Sequence, residues 1–352
     1  MKIGVDVSDL FTGRADGTTR YTRELARRFP KLAPEQAWHY FSPGPATESF
    51  AGVTWHSSPW PKYWTQSRFA LELWREKPDV LFMPIQQLPI LRSKKMKTVA
   101  VIHDLAFHYF PEQFNYKDWL LLHIFTAKAA READHIIAVS QATANDIEKY
   151  YDRTKNVLVI HHGLDHNFFK PSQEPKTSNK QYILYVGQIQ PRKNITRLVE
   201  AFELLTTEQP DLELVIAGGH GWLKKPILER IAASPVASRI KTPGAVSDEE
   251  LRNLYWNAEA YVLPSLYEGF GMPILEAMSC GTPVVTSNVS SMPEISGGAA
   301  VLINPLDSAS IAAGIKEAQT KKDTLRTSGI NRAKQFTWDR TAQQTVAVLT
   351  QV

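Results

Sequence analysis

The sequence predicts an α/β protein made of two doubly wound domains, each with a parallel sheet. Short Val/Ile/Leu-rich segments alternate with helix-like segments along the chain, as is typical of parallel sheets covered by helices on both faces. Residues 170–180, polar and with two prolines, interrupt this alternation, and a new series of strands starts after them. With 352 residues the chain is long enough for about two domains of ordinary size.

Twelve short apolar segments are predicted as strands, because each is rich in Val, Ile and Leu without strict alternation. They are residues 2–7, 39–41, 80–83, 98–102, 135–139 and 157–160, and then residues 182–186, 213–217, 239–242, 260–263, 283–286 and 300–303. Helices are predicted between them, for example at residues 18–29, 119–132, 141–150, 194–206 and 248–257. The predicted domains are therefore residues 1–168 and 181–336, joined by a linker at residues 169–180.

Composition and charge exclude several classes of function. No run of about 18 apolar residues is present to span a membrane, and the early acid Asp6 argues against a signal peptide. The single cysteine, Cys280, excludes an intramolecular disulfide and a cysteine-based metal cluster, which suits a reducing cytoplasm. A net charge of +4 is too small to indicate nucleic-acid binding.

The positive charge lies in the first half of the chain, where residues 1–170 carry 22 basic and 18 acidic side chains. The excess is sharpest at Arg92, Lys94, Lys95 and Lys97. Such a run is typical either of a solvated loop or of a basic edge near an anionic membrane or acceptor. Nearby aromatics suit either an interfacial face or the core of the domain; they are Trp55, Trp60, Trp64, Trp74 and those of residues 114–125.

Ligands of parallel sheets bind beyond the carboxyl ends of the strands, so residues there are candidates. His103 follows the strand at 98–102 and could bind a polar ligand or move a proton, or it could hold its own loop with Asp104. Gly17 opens the first helix, where backbone N–H groups can approach an anion, although a plain helix-starting turn explains it equally well. The spacing is not that of a G-x-G-x-x-G fingerprint, which disfavours an NAD enzyme.

In the second half, Arg192 and Lys193 lie between the end of a strand and the start of a helix. A planar guanidinium and a compact ammonium together suit a diphosphate, although elsewhere such a pair would be an ordinary surface feature.

Glu268 lies in a loop with two glycines, and Glu276 lies about one turn into the helix that Pro273 would open. Both carboxylates could accept hydrogen bonds from sugar hydroxyls, and the amides of residues 269–272 could cradle an anion. Alternatively, Glu276 only favours the helix dipole, and Gly-Phe-Gly is a plain turn. Both Lys193 and Glu268 are expected to face solvent in a cleft.

Several stretches together resemble a known family. They are residues 268–276 with an E-x7-E pattern, the Cys-Gly-Thr-Pro-Val-Val of residues 280–285, and residues 187–194, 139–143, 162–165, 169–171 and 244–248. The chain resembles the retaining, nucleotide-sugar-dependent glycosyltransferases of the "glycosyl transferases group 1" class, family four. The residues of its motifs resemble those of the mannosyltransferase-like members. This resemblance implies a GT-B fold, with two Rossmann-like domains facing across a cleft. Residues 1–168 would bind the acceptor, residues 181–336 would bind the donor, and residues 337–352 would form a helix that packs back on the first domain.

The resemblance also implies roles for the matching residues. Glu268 would bind hydroxyls of the donor sugar, with backbone amides of Phe270 and Gly271 beside it. Arg192 and Lys193 would neutralise the diphosphate.

The remaining roles concern both domains. The helix that begins at Met272 would support the diphosphate, Glu276 would hold the ribose, and Val246 would contact the base. Gly17 would approach the diphosphate, and His103 would face the sugar at the reaction centre. No metal ligand is expected, since no Asp-x-Asp motif is present to hold Mg²⁺.

The implied function is a retaining hexosyltransferase of surface-polysaccharide synthesis. It would move a hexose, with mannose favoured, from a nucleoside diphosphate sugar to a glycan or lipid-linked acceptor by front-face attack, without a cofactor. GDP-mannose is the favoured donor and a UDP-hexose the alternative. At the position of Gln188, directly after Gly187, many members of the family carry a basic residue instead. A same-fold epimerase or phosphorylase, or a non-catalytic nucleotide-sugar-binding subunit, are the other hypotheses. The expected location is the cytoplasm or the inner face of the membrane, with no nucleic acid as a partner.

Overall fold

The computed structural model describes residues 1–11, 13, 17–45, 50–59, 63–172, 181–219, 221 and 223–352. Contacts divide these residues into two compact units. Unit 1 contains Met1–Tyr109, Phe114–Gly163 and Thr337–Val352, and unit 2 contains Phe110–Gln113 and Leu164–Phe336. Residues 173–180 of the predicted linker and Trp60 lie outside the described residues.

Unit 1 is built on a seven-stranded parallel sheet with the order β3-β2-β1-β4-β5-β6-β7. Its strands are β1 (Lys2–Asp6), β2 (Ala37–Ser42), β3 (Val53–Ser57), β4 (Val80–Met83), β5 (Lys97–Ile102), β6 (His135–Ala138) and β7 (Val157–Val159). Its helices are α1 (Gly17–Leu32), α2 (Arg68–Glu76), α3 (Ala106–Tyr109), α4 (Tyr116–Glu132), α5 (Gln141–Tyr151) and, from the end of the chain, α13 (Trp338–Gln351).

Unit 2 is built on a six-stranded parallel sheet with the order β10-β9-β8-β11-β12-β13. Its strands are β8 (Tyr182–Val186), β9 (Glu213–Ala217), β10 (Ile240–Gly244), β11 (Ala260–Leu263), β12 (Val284–Ser287) and β13 (Val301–Ile303). Its helices are α6 (Ile195–Leu205), α7 (Lys225–Ala232), α8 (Asp248–Asn257), α9 (Met272–Ser279), α10 (Met292–Ser296), α11 (Ser308–Thr320) and α12 (Lys322–Ala333).

The predicted fold class is confirmed, since both sheets are parallel and carry helices. All twelve predicted strands are present, and none of their ends is displaced by more than two residues. The central strands could be predicted because they are buried along their whole length, as β4 and β11 are. β3 was not predicted; it lies at the sheet edge, none of its residues is buried, and its sequence Val-Thr-Trp-His-Ser carries no apolar run.

Helix α13 packs against α1 within unit 1. The Trp338 ring, buried at the start of α13, lies edge-on to the Tyr21 ring of α1, with 6.1 Å between the ring centroids. Arg28 Nε donates a hydrogen bond of 2.6 Å to Asp339 Oδ1, and Thr341 Oγ1 donates one of 2.8 Å to the His161 carbonyl. In the part of the chain that is described, no helix combines the length and the apolar character needed to cross a bilayer.

We expect Gly163→Ala to lower the free energy of unfolding by about 2–3 kcal/mol, because the new methyl group overpacks the start of α13. A Cβ at Gly163 would lie 2.1 Å from Trp338 N and 2.4 Å from the Thr337 carbonyl carbon, and backbone atoms cannot rotate away. Gly17→Ala is the matched control, because a Cβ there meets nothing within 4 Å. Urea unfolding measures both variants. Equal stability of the two would show that the backbone of α13 retreats without cost.

Candidate active site

The carboxyl ends of β8 and β11 flank the point where the strand order of unit 2 reverses. At such a switch point the following loops separate and leave a crevice in which open α/β sheets bind ligands. The loop after β8 carries Arg192 and Lys193, and the loop after β11 carries Glu268. The structure therefore places three of the predicted site residues at one edge of one sheet.

Asn194 joins these two loops. Its backbone lies in the left-handed region, with φ of 61°, directly after the short 3₁₀ turn Pro191–Lys193. Its buried side-chain amide donates to the carbonyls of Pro264, at 2.9 Å, and Pro305, at 2.6 Å. The Leu266 N–H also donates to the Arg192 carbonyl, at 2.9 Å. The two loops thus hold each other, and the cations cannot shift independently of Glu268.

Arg192, Lys193 and Glu268 form a buried ion cluster. Lys193 Nζ donates to Glu268 Oε1 at 2.6 Å, and the Ser265 hydroxyl donates to the same oxygen at 2.7 Å. Arg192 Nη1 lies 3.6 Å from Glu268 Oε2 and donates to the Tyr267 carbonyl at 3.2 Å. Burial opposes ionisation of Glu268, but the charges of Lys193 and Arg192 outweigh it and hold the pKa of this carboxyl below its ordinary value. Glu268 is therefore a carboxylate at neutral pH.

The prediction that Glu268 faces solvent is wrong, and Lys193 is exposed only in small part. The side chains of Lys193 and Glu268 are only 15% and 9% exposed, because each covers the other and the loops close around them. Two opposite charges that neutralise each other can be buried together, whereas either one alone could not.

Two serines and a glutamine that the sequence did not single out support this cluster. Ser290 and Ser291, which follow β12, donate through their hydroxyls to the Glu268 carbonyl at 2.6 and 2.9 Å. The Ser291 hydroxyl also reaches the Phe270 carbonyl, at 3.0 Å. Gln113 Oε1 accepts from the Arg192 N–H at 3.2 Å. The signal available for the serines was a polar run between a predicted strand and Pro293, which suits the first turn of a helix.

Helix α9 begins beside the cluster. Gly271 precedes it with φ of 97°, a conformation that favours glycine, and Met272 and Pro273 form its first turn. The Phe270 ring is buried and lies edge-on to the Phe336 ring, with 6.1 Å between centroids. The side chain of Phe270 therefore serves packing, so only its backbone is available to a ligand.

Glu276 makes a separate contact one turn into α9. Its side chain is buried, and its Oε2 accepts a hydrogen bond of 3.0 Å from the Tyr255 hydroxyl. Burial and the nearby Glu276 charge raise the pKa of Tyr255 well above its ordinary value, so this hydroxyl keeps its proton. The sequence did not identify Tyr255. The contact of Glu276 with a ribose stays a prediction.

The predicted base contact, Val246, lies between β10 and α8 and is half-buried. On this side of the sheet, the carboxyl ends of β8, β9 and β10 approach one another closely at glycines. The Gly218 N–H donates to the Gly244 carbonyl at 2.7 Å, and a Cβ at Gly218 would lie 2.2 Å from the Gly187 carbonyl oxygen. A side chain at Gly218 is thereby excluded, but no described contact tests the role of Val246.

The other two predicted residues belong to unit 1. His103 follows β5; its Nε2 lies 2.7 Å from the Pro84 carbonyl oxygen, so Nε2 carries a proton and donates. The Tyr21 ring lies edge-on to the imidazole at 5.1 Å, and the His103 N–H donates to Gln86 Oε1 at 3.4 Å. The ring is thus held in one orientation. Gly17 is the exposed first residue of α1. The roles of both residues stay predictions.

Two family descriptions match the chain. Glycosyltransferase Family 4 matches residues 15–168, and Glycosyl transferases group 1 matches residues 167–336. The resemblance predicted from the sequence motifs is confirmed.

Relatives with similar sequences carry mannosyltransferase names. O-antigen chain mannosyltransferase B of Escherichia coli is 40% identical over 169 residues, which are 47% of this chain and 44% of that protein. Serotype-specific mannosyltransferase WbdA of Escherichia coli is 30% identical over 276 residues, 73% of this chain and 34% of that protein. The chain therefore spans less than half of the length of these curated relatives.

A solved structure shares the fold over the whole chain. HepE of Anabaena, in complex with UDP and glucose, has a TM-score of 0.76 at 20% identity and is covered over 100% of both chains. At this identity the likeness supports the fold, and the two Rossmann-like domains with parallel sheets that the sequence predicts are confirmed.

We expect Lys193→Met to lower the free energy of unfolding by about 3 kcal/mol at pH 7, because the buried carboxylate loses its hydrogen-bonded cation and keeps only Arg192, 3.6 Å away. Lys193→Met/Glu268→Gln should regain most of this loss, since the buried carboxylate that lost its lysine is removed, while Arg192 keeps its hydrogen bond to the Tyr267 carbonyl. Lys321→Met is the control; its ion pair with Glu317 is exposed, and its loss should cost less than about 0.5 kcal/mol. Urea unfolding measures all three. A double variant no more stable than Lys193→Met would contradict the charge argument.

The same pair gives stability a pH dependence of defined sign. Because the folded chain lowers the pKa of Glu268, the contribution of this group is fully present above its ordinary pKa of about 4.3. It is lost as the pH falls through the lower, folded value. The difference in unfolding free energy between wild type and Glu268→Gln should therefore be larger at pH 7 than at pH 3. A constant difference would show that ionisation of Glu268 does not stabilise the fold.

Proposed function

Since the chain belongs to the glycosyltransferases of the Glycosyl transferases group 1 and Family 4 classes, we propose that it transfers a hexose from a nucleoside diphosphate sugar to a glycan acceptor. The observation that carries this proposal is the buried cluster of Arg192, Lys193 and Glu268 at the switch point of unit 2. The mannosyltransferase names of the relatives favour mannose as the hexose, and their O-antigen names favour a surface-polysaccharide acceptor.

The cluster suits a diphosphate that departs with the nucleoside. A diphosphate at Arg192 and Lys193 would take over the cations that Glu268 holds in this structure. The released carboxylate could then accept hydrogen bonds from sugar hydroxyls. The charge that develops on the leaving phosphate would meet fixed cations and the N-terminus of α9, where each well-placed donor typically lowers a barrier by about 2.7–4 kcal/mol.

We propose retention by front-face attack, in which the leaving phosphate takes the proton of the acceptor hydroxyl. The carboxylate of Glu268 is engaged by a lysine and a serine, which suits a binding group better than a nucleophile. His103, with its ring fixed by Pro84 and Tyr21, is proposed to meet a sugar hydroxyl. Glu276 is proposed to accept from the ribose hydroxyls, and Val246 to contact the base.

GDP-mannose is the proposed donor, and a UDP-hexose is the alternative. The mannosyltransferase names support the first, and the UDP and glucose held by the Anabaena protein support the second. Thermal-shift measurements with GDP-mannose, GDP, UDP-glucose and UDP at equal concentration separate them. Stabilisation by both guanine nucleotides and by neither uracil nucleotide would support GDP-mannose.

We expect substitutions of Lys193 and of Glu268 to have different effects on nucleotide binding and on turnover. Lys193→Met should weaken nucleoside diphosphate binding by about 10- to 100-fold, the loss of one charge-assisted hydrogen bond. Glu268→Gln should leave that affinity unchanged or raise it, since it removes the carboxylate that competes for Lys193, yet it should lower kcat more than 100-fold. Calorimetry gives the affinities, and nucleoside diphosphate release with and without acceptor gives kcat.

Lys321→Met, far from the cluster in sequence and exposed, is the control and should retain both properties. Equal loss of nucleotide affinity in Lys193→Met and Glu268→Gln would show that the proposed division between sugar and phosphate is wrong. Nucleotide release that is independent of any acceptor would instead indicate hydrolysis or another reaction.

We also propose that unit 1 binds reversibly to an anionic membrane. Its helix α4 exposes Tyr116, Leu120, Leu121 and Ile124, by 36–75%. The predicted basic run is partly neutralised, because Arg92 pairs with Glu132 and Lys97 pairs with Asp134, each at 3.0 Å. Lys94 and Lys95 are therefore the cations of this run that would meet lipid headgroups. Of the tryptophans considered above, Trp74 is 52% exposed, whereas Trp64 is buried and serves the core.

Co-sedimentation with anionic vesicles tests this proposal. Lys94→Gln/Lys95→Gln should weaken binding by about 10- to 30-fold, at about 1 kcal/mol for each basic residue. Lys225→Gln, an exposed lysine of unit 2, should not change it. Binding that ignores both salt and the double substitution would show that this run is not the anchor.

A further inference from the structure

Unit 1 brings two histidines and a glutamate together at the edge of its sheet. His39 lies on β2 and His56 on the edge strand β3; because His39 is opposite Thr54 and Phe41 is opposite His56, both imidazoles lie on the same face. Glu76 is the last residue of α2, which packs on that face through the Phe69 ring, 5.4 Å from the ring of Phe41. None of these three residues belongs to the candidate active site.

The three side chains lie within reach of a single ion. His39 Nδ1 and His56 Nε2 are 2.7 Å apart, and His56 Nδ1 lies 3.7 Å from Glu76 Oε1. One ligand atom from each residue lies within 4.8 Å of the other two. The two imidazoles are nearly parallel, at 14°, and the Phe41 ring stacks on His56 at 4.7 Å. The packing therefore restricts the positions of the ring nitrogens.

The protonation of the group suits metal ligation. Burial and the nearby Lys2 charge lower the pKa of His39, and burial lowers that of His56, so both rings are neutral at pH 7 and offer a lone pair. A hydrogen bond from Lys2 lowers the pKa of Glu76, which is ionised. Lys2 Nζ lies 2.9 Å from Glu76 Oε2. This ammonium repels a cation and competes for the carboxylate, so it should weaken the site without removing a ligand.

We propose that His39, His56 and Glu76 bind a divalent transition-metal ion of the zinc class. Two imidazoles and a carboxylate form a ligand set that Zn²⁺ accepts, with water in the fourth position. On binding, the proton between the two rings moves to the other nitrogen of the ring that carries it, so that both facing nitrogens offer a lone pair to the ion. Zinc–nitrogen bonds of about 2.0–2.1 Å place two tetrahedral ligands about 3.3 Å apart, so the rings need to separate by about 0.6 Å. The ligand atoms that lie as much as 4.8 Å apart need to approach each other. The bound ion joins β2, the edge strand β3 and the end of α2, and so stabilises the exposed edge of the sheet.

Zinc binding to the untagged, chelator-treated chain tests this inference. Calorimetry should show one Zn²⁺ per chain, and Zn²⁺ should raise the melting temperature. His39→Ala and His56→Ala should each weaken binding by at least tenfold, while the matched control His135→Ala, a half-buried histidine at the start of β6, should not. Circular dichroism of the zinc-free variants shows whether each still folds.

Two further measurements do not depend on removal of a histidine. Lys2→Met should tighten Zn²⁺ binding, because it removes the competing ammonium while all three ligands remain. Co²⁺ bound to the wild type should give the visible absorption bands of a four-coordinate site. The proposal would be overturned if the wild type did not bind Zn²⁺ at about 100 µM. It would also be overturned if His39→Ala/His56→Ala bound Zn²⁺ as tightly as the wild type. Weaker binding by Lys2→Met would also contradict it.

Discussion

The candidate active site depends on one buried amide. Asn194 gives its side-chain hydrogens to carbonyls that follow β11 and β13, and its own backbone ends the turn that carries Arg192 and Lys193. A buried amide with both hydrogens bonded has little freedom to move, because any displacement leaves a polar group without a partner in a poorly solvated interior. Three loops from different parts of the sequence are thereby held in register at one edge of the sheet.

That constraint explains how unit 2 can bury three charges. In water, an isolated lysine and glutamate gain little by pairing, since side-chain entropy and screening cancel the attraction. Here the loops are already fixed, so Lys193 and Glu268 meet with little further loss of freedom. The cost of removing their hydration is met during folding. A polar environment arranged in advance is what stabilises charge that develops during a reaction, since it need not reorganise at that moment.

The sequence predicted the parts of this arrangement that are local. Strands β8 and β11 are continuous apolar runs, and residues that follow such strands lie at the sheet edge, so Arg192, Lys193 and Glu268 could be identified. Their mutual burial could not, because which cation faces which acid is decided by contacts between residues about 75 positions apart. The supporting role of Gln113 depends on a contact between residues 79 positions apart, and that of Tyr255 on a contact between residues 21 positions apart. β3 could not be predicted for a different reason. It is an edge strand with both faces partly exposed to solvent, so its sequence needs no apolar run.

The position of α13 sets an order of events during synthesis of the chain. Most of unit 1 is made before unit 2, yet Tyr21 of α1 is covered by Trp338, which is made only after the last residue of unit 2. Unit 2 can therefore complete its core while the matching surface of α1 still lacks its cover. A growing chain in this state exposes apolar side chains of α1. This state lasts while more than 150 further residues are added, at about 5–20 residues per second. Unit 1 thus reaches its final packing only after unit 2 has been made, and until then its uncovered apolar side chains are exposed to chaperones and to aggregation.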